Sequence, residues 1–162
     1  HFCPQATKAQ CFTTFVRPQL EYAASAWNPY TKRNVAKLES VHRKGARFVT
    51  GDWRRTSSVT AMMTLLGWEQ LQVRRARMRL CMLFNIKNGN IAIPPANYLV
   101  PSTSPYSTRG ATLKYVVPPA RILAYKHSFF PATIAEWNQL PSIVTKPQSI
   151  AAFQKHLAVV LP

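Results

Sequence analysis

Apolar residues recur at helical spacing through the first 90 residues of the chain, and this pattern predicts four helices. The first helix is expected to begin near Pro4 and to carry its apolar stripe as far as Trp27, with a kink or a break at Pro18. The second is expected to follow Thr31, a residue type that caps helix N-termini, and to end at Gly51. Its predicted apolar stripe consists of Val35, Leu38, Val41, Gly45, Phe48 and Val49.

The third and fourth predicted helices are separated by Gly67. Hydroxyl groups of Ser57 and Ser58 are expected to cap the third helix, which turns Val59, Met62, Leu65 and Leu66 inward. The fourth runs from about Glu69 to Asn88 and stops at Gly89. The side chains predicted to point inward from it are Leu71, Met78, Cys81, Met82 and Phe84 or Asn85.

The composition changes near residue 90, because ten of the 13 prolines fall from Pro94 onward. One short strand is predicted around 114–117, followed by short helical pieces at 125–130 and 132–138 and a last amphipathic helix at 149–161. The sequence thus predicts a mainly α fold with at most one or two short strands. We expect a basic helical bundle at 1–90 and a Pro-rich region at 91–162. The aromatic residues expected to pack this region back on the bundle are Phe129, Phe130, Trp137 and Phe153.

Charge narrows the class of partner. The chain has 21 Lys and Arg against 5 Asp and Glu, a net charge of +16, and such an excess favours a polyanionic partner. No apolar run reaches the roughly 18 residues of a membrane span, and the start at His1 resembles neither an initiator nor a secretory signal. We therefore expect a piece of a longer, non-secreted protein. Three cysteines at unrelated spacings predict neither a disulfide framework nor a zinc cluster.

The acidic residues argue against catalysis by this chain in isolation. Two-metal phosphoryl transfer needs several converging carboxylates, whereas the five acids here, only one of them an aspartate, are scattered over different predicted elements. Neither a glycine-rich phosphate loop nor a nucleophile elbow is present. The sequence predicts no catalytic residue, no metal ligand and no cofactor.

Basic residues concentrate on the second predicted helix and on the loop after it. On the helix, Lys37, Arg43, Lys44 and Arg47 are predicted to bind phosphates, and plain solubility is the alternative. The loop is predicted to clamp a phosphate at the start of the third helix through Arg54, Arg55, Ser57 and Ser58. The alternative is that the serines only cap the helix and that the arginines are ordinary surface residues. Trp53 is the best candidate for stacking on a base, whereas Trp27 and Trp137 are expected in the core.

Seven segments, in order along the chain, resemble one protein family. They are VRPQLEYA at 16–23, WNP at 27–29, ARFVTGD at 46–52, RRTSSVT at 54–60, LGW at 66–68, SFFPATI at 128–134 and EWNQLP at 136–141. The chain resembles the C-terminal region of jockey-like non-LTR retrotransposon reverse transcriptases. This region contains the thumb and the segment that follows the palm. The polymerase aspartates of that family lie in an upstream hairpin that this chain lacks. The endonuclease domain of the family lies further upstream still.

The resemblance implies a non-catalytic fragment of an RNA-directed DNA polymerase that grips the template and primer backbone. Its partners would be the RNA/DNA template-primer and the upstream palm and endonuclease domains, in the nucleus or the cytoplasm. One alternative is a non-functional genomic relic of such an element, with no active partner. Another is a membrane-surface amphipathic protein, which would bind anionic vesicles with little preference for nucleic acid.

Overall fold

The computed structural model describes residues 3–102, 114–147 and 149–161, and the protein is mainly helical, as predicted. Within these ranges no strand forms, and the strand predicted at 114–117 is a single antiparallel bridge between Pro101 and Tyr115. The α-helices are α1 Gln5–Cys11, α2 Arg17–Glu21, α3 Lys32–Thr50, α4 Val59–Leu65, α5 Leu71–Lys87, α6 Leu123–Lys126, α7 Phe129–Trp137, α8 Ser142–Thr145 and α9 Ile150–Val160.

The chain divides into two compact units. The first unit comprises His1–Ala23 and Pro29–Arg75, and the second comprises Ala24–Asn28 and Ala76–Pro162. The boundary therefore falls inside α5, which contributes its first five residues to the first unit. The predicted division of the sequence into a basic helical bundle at 1–90 and a Pro-rich region at 91–162 stays a prediction.

The first predicted helix is interrupted upstream of Pro18. A π-helical turn, Phe12–Val16, separates α1 from α2, and Pro18, which has no amide hydrogen to donate, is the second residue of α2. The predicted stripe to Trp27 is wrong beyond Glu21: α2 ends there, and Ala23 has φ +49°. Phe15, an apolar residue within the predicted stripe, is 68% exposed.

Helix α3 begins and ends as predicted. The Thr31 hydroxyl accepts a hydrogen bond from the Asn34 amide at 3.3 Å, and Gly51 closes the helix at φ +70°. The predicted stripe is partly wrong, because Val41 and Phe48 are exposed, whereas the buried positions also include a polar and a small residue. The buried residues of α3 are His42, Gly45, Ala46 and Val49.

The core of the first unit forms where α4 packs on α3. Met62 and Met63 are buried there with Ala46, as expected for core methionines, and Leu66 and Trp68 pack against them. The phenyl ring of Phe12 stacks on Trp68 with 4.9 Å between ring centroids. Leu65, predicted to point inward, is 77% exposed, because the buried face of α4 carries Val59, Met62 and Met63 instead.

The second unit has a larger core built on the C-terminal part of α5. Trp137 is buried as predicted and stacks on Phe153, which in turn stacks on Phe84 at 4.6 Å between centroids. Trp27 is 43% exposed, so its predicted place in the core is wrong. The residues of α5 buried in this core are Leu80, Leu83, Phe84 and Ile86, whereas Met78, predicted inward, is exposed.

Pro131 lies inside a helix instead of between two helical pieces. It is the third residue of α7, in the first turn, where an amide hydrogen has no acceptor within the helix. The predicted break at Pro131 is therefore wrong. Ser149 caps α9 by accepting from the Ala152 amide at 3.2 Å, which fits the predicted last helix.

Candidate nucleic-acid interface

The basic residues of α3 lie on one side of the helix. At about 100° per residue, the six positions fall within an arc of roughly 140°, opposite the buried positions. All are exposed except Arg47, which is half-buried. We call this surface the basic face; its members are Lys32, Arg33, Lys37, Arg43, Lys44 and Arg47. The amphipathic pattern of the helix therefore separates a packed side from a strongly cationic one.

Arg47 differs from the other members because the chain itself uses its guanidinium group. Nη1 donates to the carbonyl oxygens of Asp52 at 3.1 Å and Arg54 at 2.9 Å, and Nη2 donates to that of Ser57 at 3.3 Å. A planar group with several donors suits three carbonyl oxygens presented by one loop. Arg47 therefore fixes the loop at 52–57 against the end of α3.

Asp52 holds Arg54 by a two-pronged ion pair. Nε and Nη2 of Arg54 lie 3.2 and 3.1 Å from the two carboxylate oxygens, and the Arg54 amide donates to Oδ1 at 3.0 Å. Hydrogen bonds from the side chains of Arg54 and Ser57 hold the pKa of Asp52 well below its usual range. The Arg54 side chain is still 80% exposed, so its charge is paired with Asp52 but open to solvent.

The two serines of the predicted phosphate clamp serve the local structure. The Ser58 hydroxyl accepts from the Ala61 amide at 3.3 Å and caps α4, whereas the Ser57 side chain bonds to Asp52. Arg55 and Trp53 are exposed, with 60% of Trp53 accessible. The structure thus brings Trp53, Arg54 and Arg55 together on an ordered loop next to α3, and their part in binding stays a prediction.

The four arginines of α5 all bond within the chain. Arg74 pairs with Glu21, with 3.2 Å between Nη2 and Oε2, and Arg75 donates to the carbonyl oxygen of Leu20 at 2.5 Å. In the second unit, Arg77 donates to the carbonyl oxygen of Leu161, and Arg79 pairs with Glu136. The chain itself therefore uses the guanidinium groups of these arginines.

Lys32 and Arg33 belong to the basic face of α3, although the predicted binding set did not contain them. Both are exposed in the first turn of α3, on the same arc as Arg43 and Lys44. The signal that finds them is the angular position of each basic residue on a helix of known start, which the N-cap at Thr31 supplies. A count of the basic residues alone, without their angular positions, does not reveal them.

No protein-family model, curated protein or solved structure matches this chain. Over the described ranges, no three His, Cys, Asp or Glu side chains lie close enough together to hold a metal ion. No helix in the part of the chain that the structure describes is long and apolar enough to cross a membrane.

Proposed function

We propose that this chain is a non-catalytic, nucleic-acid-binding C-terminal part of a retrotransposon RNA-directed DNA polymerase. It holds the phosphate backbone of a template-primer through the basic face of α3 and the loop at 52–57. The family assignment rests on the seven sequence segments described above. The observation that carries the binding mode is the gathering of cationic side chains on one arc of one helix.

Two features of the basic face support binding to a regular polyanion. A helix of 19 residues is about 28 Å long, so its cations can follow several phosphates along one strand. In addition, four of the five carboxylates are engaged elsewhere: Glu21, Asp52 and Glu136 pair with arginines, and Glu39 accepts from the Gln72 amide. The cations Lys37, Arg43 and Lys44 thus face solvent with little compensation.

Contacts of this kind recognise backbone and not sequence, because phosphates are the same at every base pair. An RNA/DNA hybrid presents its phosphates with a geometry close to the A form, whose deep groove excludes side chains from base edges. About six contacts predict a plot of log affinity against log salt with a slope of roughly −4 to −5. Different hybrid sequences should bind with equal affinity.

Filter binding of an RNA/DNA hybrid to the full chain at several salt concentrations tests the proposal. The double variant Arg43→Gln/Lys44→Gln removes two charges from the basic face, and Lys146→Gln/Lys155→Gln removes two exposed charges from the second unit. We expect the first pair to make the slope less steep by about 2 and the second to leave it unchanged. Circular dichroism of both variants checks that the helices are retained.

Equal salt slopes for the two double variants would remove the basic face from the interaction. Anionic vesicles serve as a competitor in the same assay, because a membrane-surface protein would bind them more tightly than the hybrid. The concentrations of vesicles and of unlabelled hybrid that displace the labelled hybrid are compared, both expressed as negative charge. If the vesicles act at the lower concentration, the proposed ligand class is overturned.

A further inference from the structure

The second unit contains a cavity of about 480 Å³ that the basic face does not explain. Its volume lies within the roughly 300–1,000 Å³ of pockets that take small organic groups. Aromatic rings of Tyr98, Tyr125 and Phe130 line it together with two consecutive prolines, Pro118 and Pro119. Asn97 and Ser128 are the polar residues of an otherwise apolar lining.

One wall of the cavity is fixed by backbone contacts. The amide of Val116 donates to the carbonyl oxygen of Val100 at 2.8 Å, next to the bridge of Pro101 and Tyr115, so both valines face the same space. The side-chain amide of Asn138 clamps this wall: Nδ2 donates to the Tyr115 carbonyl at 2.8 Å, and Oδ1 accepts from its amide at 3.0 Å. The cavity is therefore built in advance of any ligand.

The rings are held as a stacking platform. Tyr98 lies parallel to Phe130, with 4.0 Å between ring centroids and 0° between planes, yet 42% of Tyr98 is exposed. Phe129 packs edge-on against Phe130 at 5.0 Å and supports it from the core side of α7. Tyr125 is 44% exposed in α6. Aromatic faces that are rigid and open to solvent are what flat ring ligands require.

The charged residues that lie nearest in sequence to the lining of the cavity are all basic. Lys114, Arg121 and Lys126 are exposed, and each stands within two residues of a residue that lines the cavity. The only acid in the second unit is Glu136, and Arg79 pairs with it. These features suit an occupant that combines a flat aromatic body with negative charge.

We propose that the cavity holds a base of a single-stranded nucleic acid, stacked on Tyr98 and Tyr125, while Lys114, Arg121 and Lys126 contact the flanking phosphates. Base stacking on aromatic side chains is tolerant of sequence and adds to backbone attraction. The charge pattern disfavours the other occupant of grooves lined by tyrosine and proline, an extended proline-rich peptide, which carries no negative charge of its own. This site goes beyond the backbone contacts of α3.

Fluorescence anisotropy with two labelled probes measures how much the bases add to the affinity beyond the phosphodiester backbone. One probe is an oligothymidine of about eight nucleotides, and the other is a phosphodiester chain of the same length without bases. We expect the full chain to bind the first probe at least about fivefold more tightly than the second. Tyr125→Leu removes this preference, and Tyr125→Phe retains it because the ring remains. Ile143→Ala, at an exposed apolar residue of α8, is the control and leaves the preference unchanged.

The double variant Arg43→Gln/Lys44→Gln separates this site from the basic face, since it lowers affinity for both probes and keeps their ratio. Equal affinity of the unmodified chain for the two probes would overturn the base site and leave the proposed function of α3 standing. A preference that Tyr125→Leu and Tyr98→Leu both leave intact would also overturn it. So would displacement of oligothymidine from the aromatic site by an acidic proline-rich peptide at lower concentration than by unlabelled oligothymidine.

Discussion

Arg47 and Arg54 are joined by a hydrogen bond of 2.9 Å, in which Nη1 of Arg47 donates to the carbonyl oxygen of Arg54. With the bonds to Asp52 and Ser57, this contact makes one basic residue the support of a neighbouring basic loop. The phosphate binding that we propose for the loop would therefore depend on Arg47 through position as well as through charge.

Arg47→Lys should lower stability while conserving charge. A lysine ammonium is one point donor and cannot reach three carbonyl oxygens as the guanidinium fork does. We expect a loss of about 1–2 kcal/mol in the free energy of unfolding, measured by urea denaturation. Arg43→Lys, on the exposed part of the same helix, is the control and should leave stability unchanged. Equal stability of both variants would show that the loop needs no such support.

Asp52→Asn should strengthen nucleic-acid binding. Asp52 compensates Arg54, and the substitution releases that charge while a side-chain oxygen remains for the Arg54 amide. We expect tighter binding of the RNA/DNA hybrid at low salt and a salt slope steeper by about 1, with the gain fading at high salt. Glu69→Gln, which removes one charge in the same unit, is the control. An affinity gain no larger than that of Glu69→Gln would mean that Arg54 does not contact the ligand.

Helix boundaries that carry a capping residue were predicted well from local sequence. Thr31, Ser58 and Ser149 each accept a hydrogen bond from an amide three residues later, and Gly51 and Gly89 have the positive φ that ends a helix. These signals act within one turn, so no knowledge of the packing is needed to recognise them.

The phase of the buried faces could not be derived in the same way. A pattern that counts apolar residues selects Val41 and Phe48, which are exposed. The core of the first unit instead contains His42 and Ala46. The neighbouring elements approach closely there, which requires a small side chain, such as that of Ala46, and a flat ring, such as that of His42. The arginine contacts are a further case. Arg74 meets Glu21 across 53 residues of sequence, and a single sequence gives no signal of that separation.

Gly45→Ala should destabilise the first unit. A Cβ atom at this position would lie 2.3 Å from two atoms of the Phe12 ring, which is buried and stacked on Trp68. Overpacking of about 1–3 kcal/mol outweighs the gain of up to about 1 kcal/mol in helix propensity. Thermal unfolding measures the change, and Ser40→Ala, exposed on the same helix, should be neutral or slightly stabilising.

A double variant distinguishes a clash at Gly45 from a general effect on α3. Phe12→Leu shortens the opposing side chain, so adding Gly45→Ala to it should cost less than adding Gly45→Ala to the unmodified chain. We expect a coupling of at least about 0.5 kcal/mol in a double-mutant cycle. Additive effects of the two substitutions would exclude direct contact as the cause.

His42 should make the stability of the first unit depend on pH near neutrality. Nε2 lies 3.1 Å from the carbonyl oxygen of Glu69, and Nδ1 is buried without a hydrogen-bond partner. Burial lowers the pKa of His42 below its usual 6.5, and the Glu69 carbonyl, Glu39, Arg17 and Arg74 modify this shift. The folded chain therefore keeps a neutral imidazole where the unfolded chain takes up a proton.

The direction in which stability changes with pH follows from that difference in bound protons. Stability from His42 is fully present above the unfolded pKa of about 6.5 and falls as the pH drops below it toward the lowered folded pKa. Urea unfolding at pH 7.5, 6.5 and 5.5 should show this loss in the unmodified chain. His42→Gln should reduce the loss, whereas His156→Gln, at an exposed histidine of the second unit, should keep it. The same pH dependence in all three proteins would mean that His42 is protonated in the folded chain.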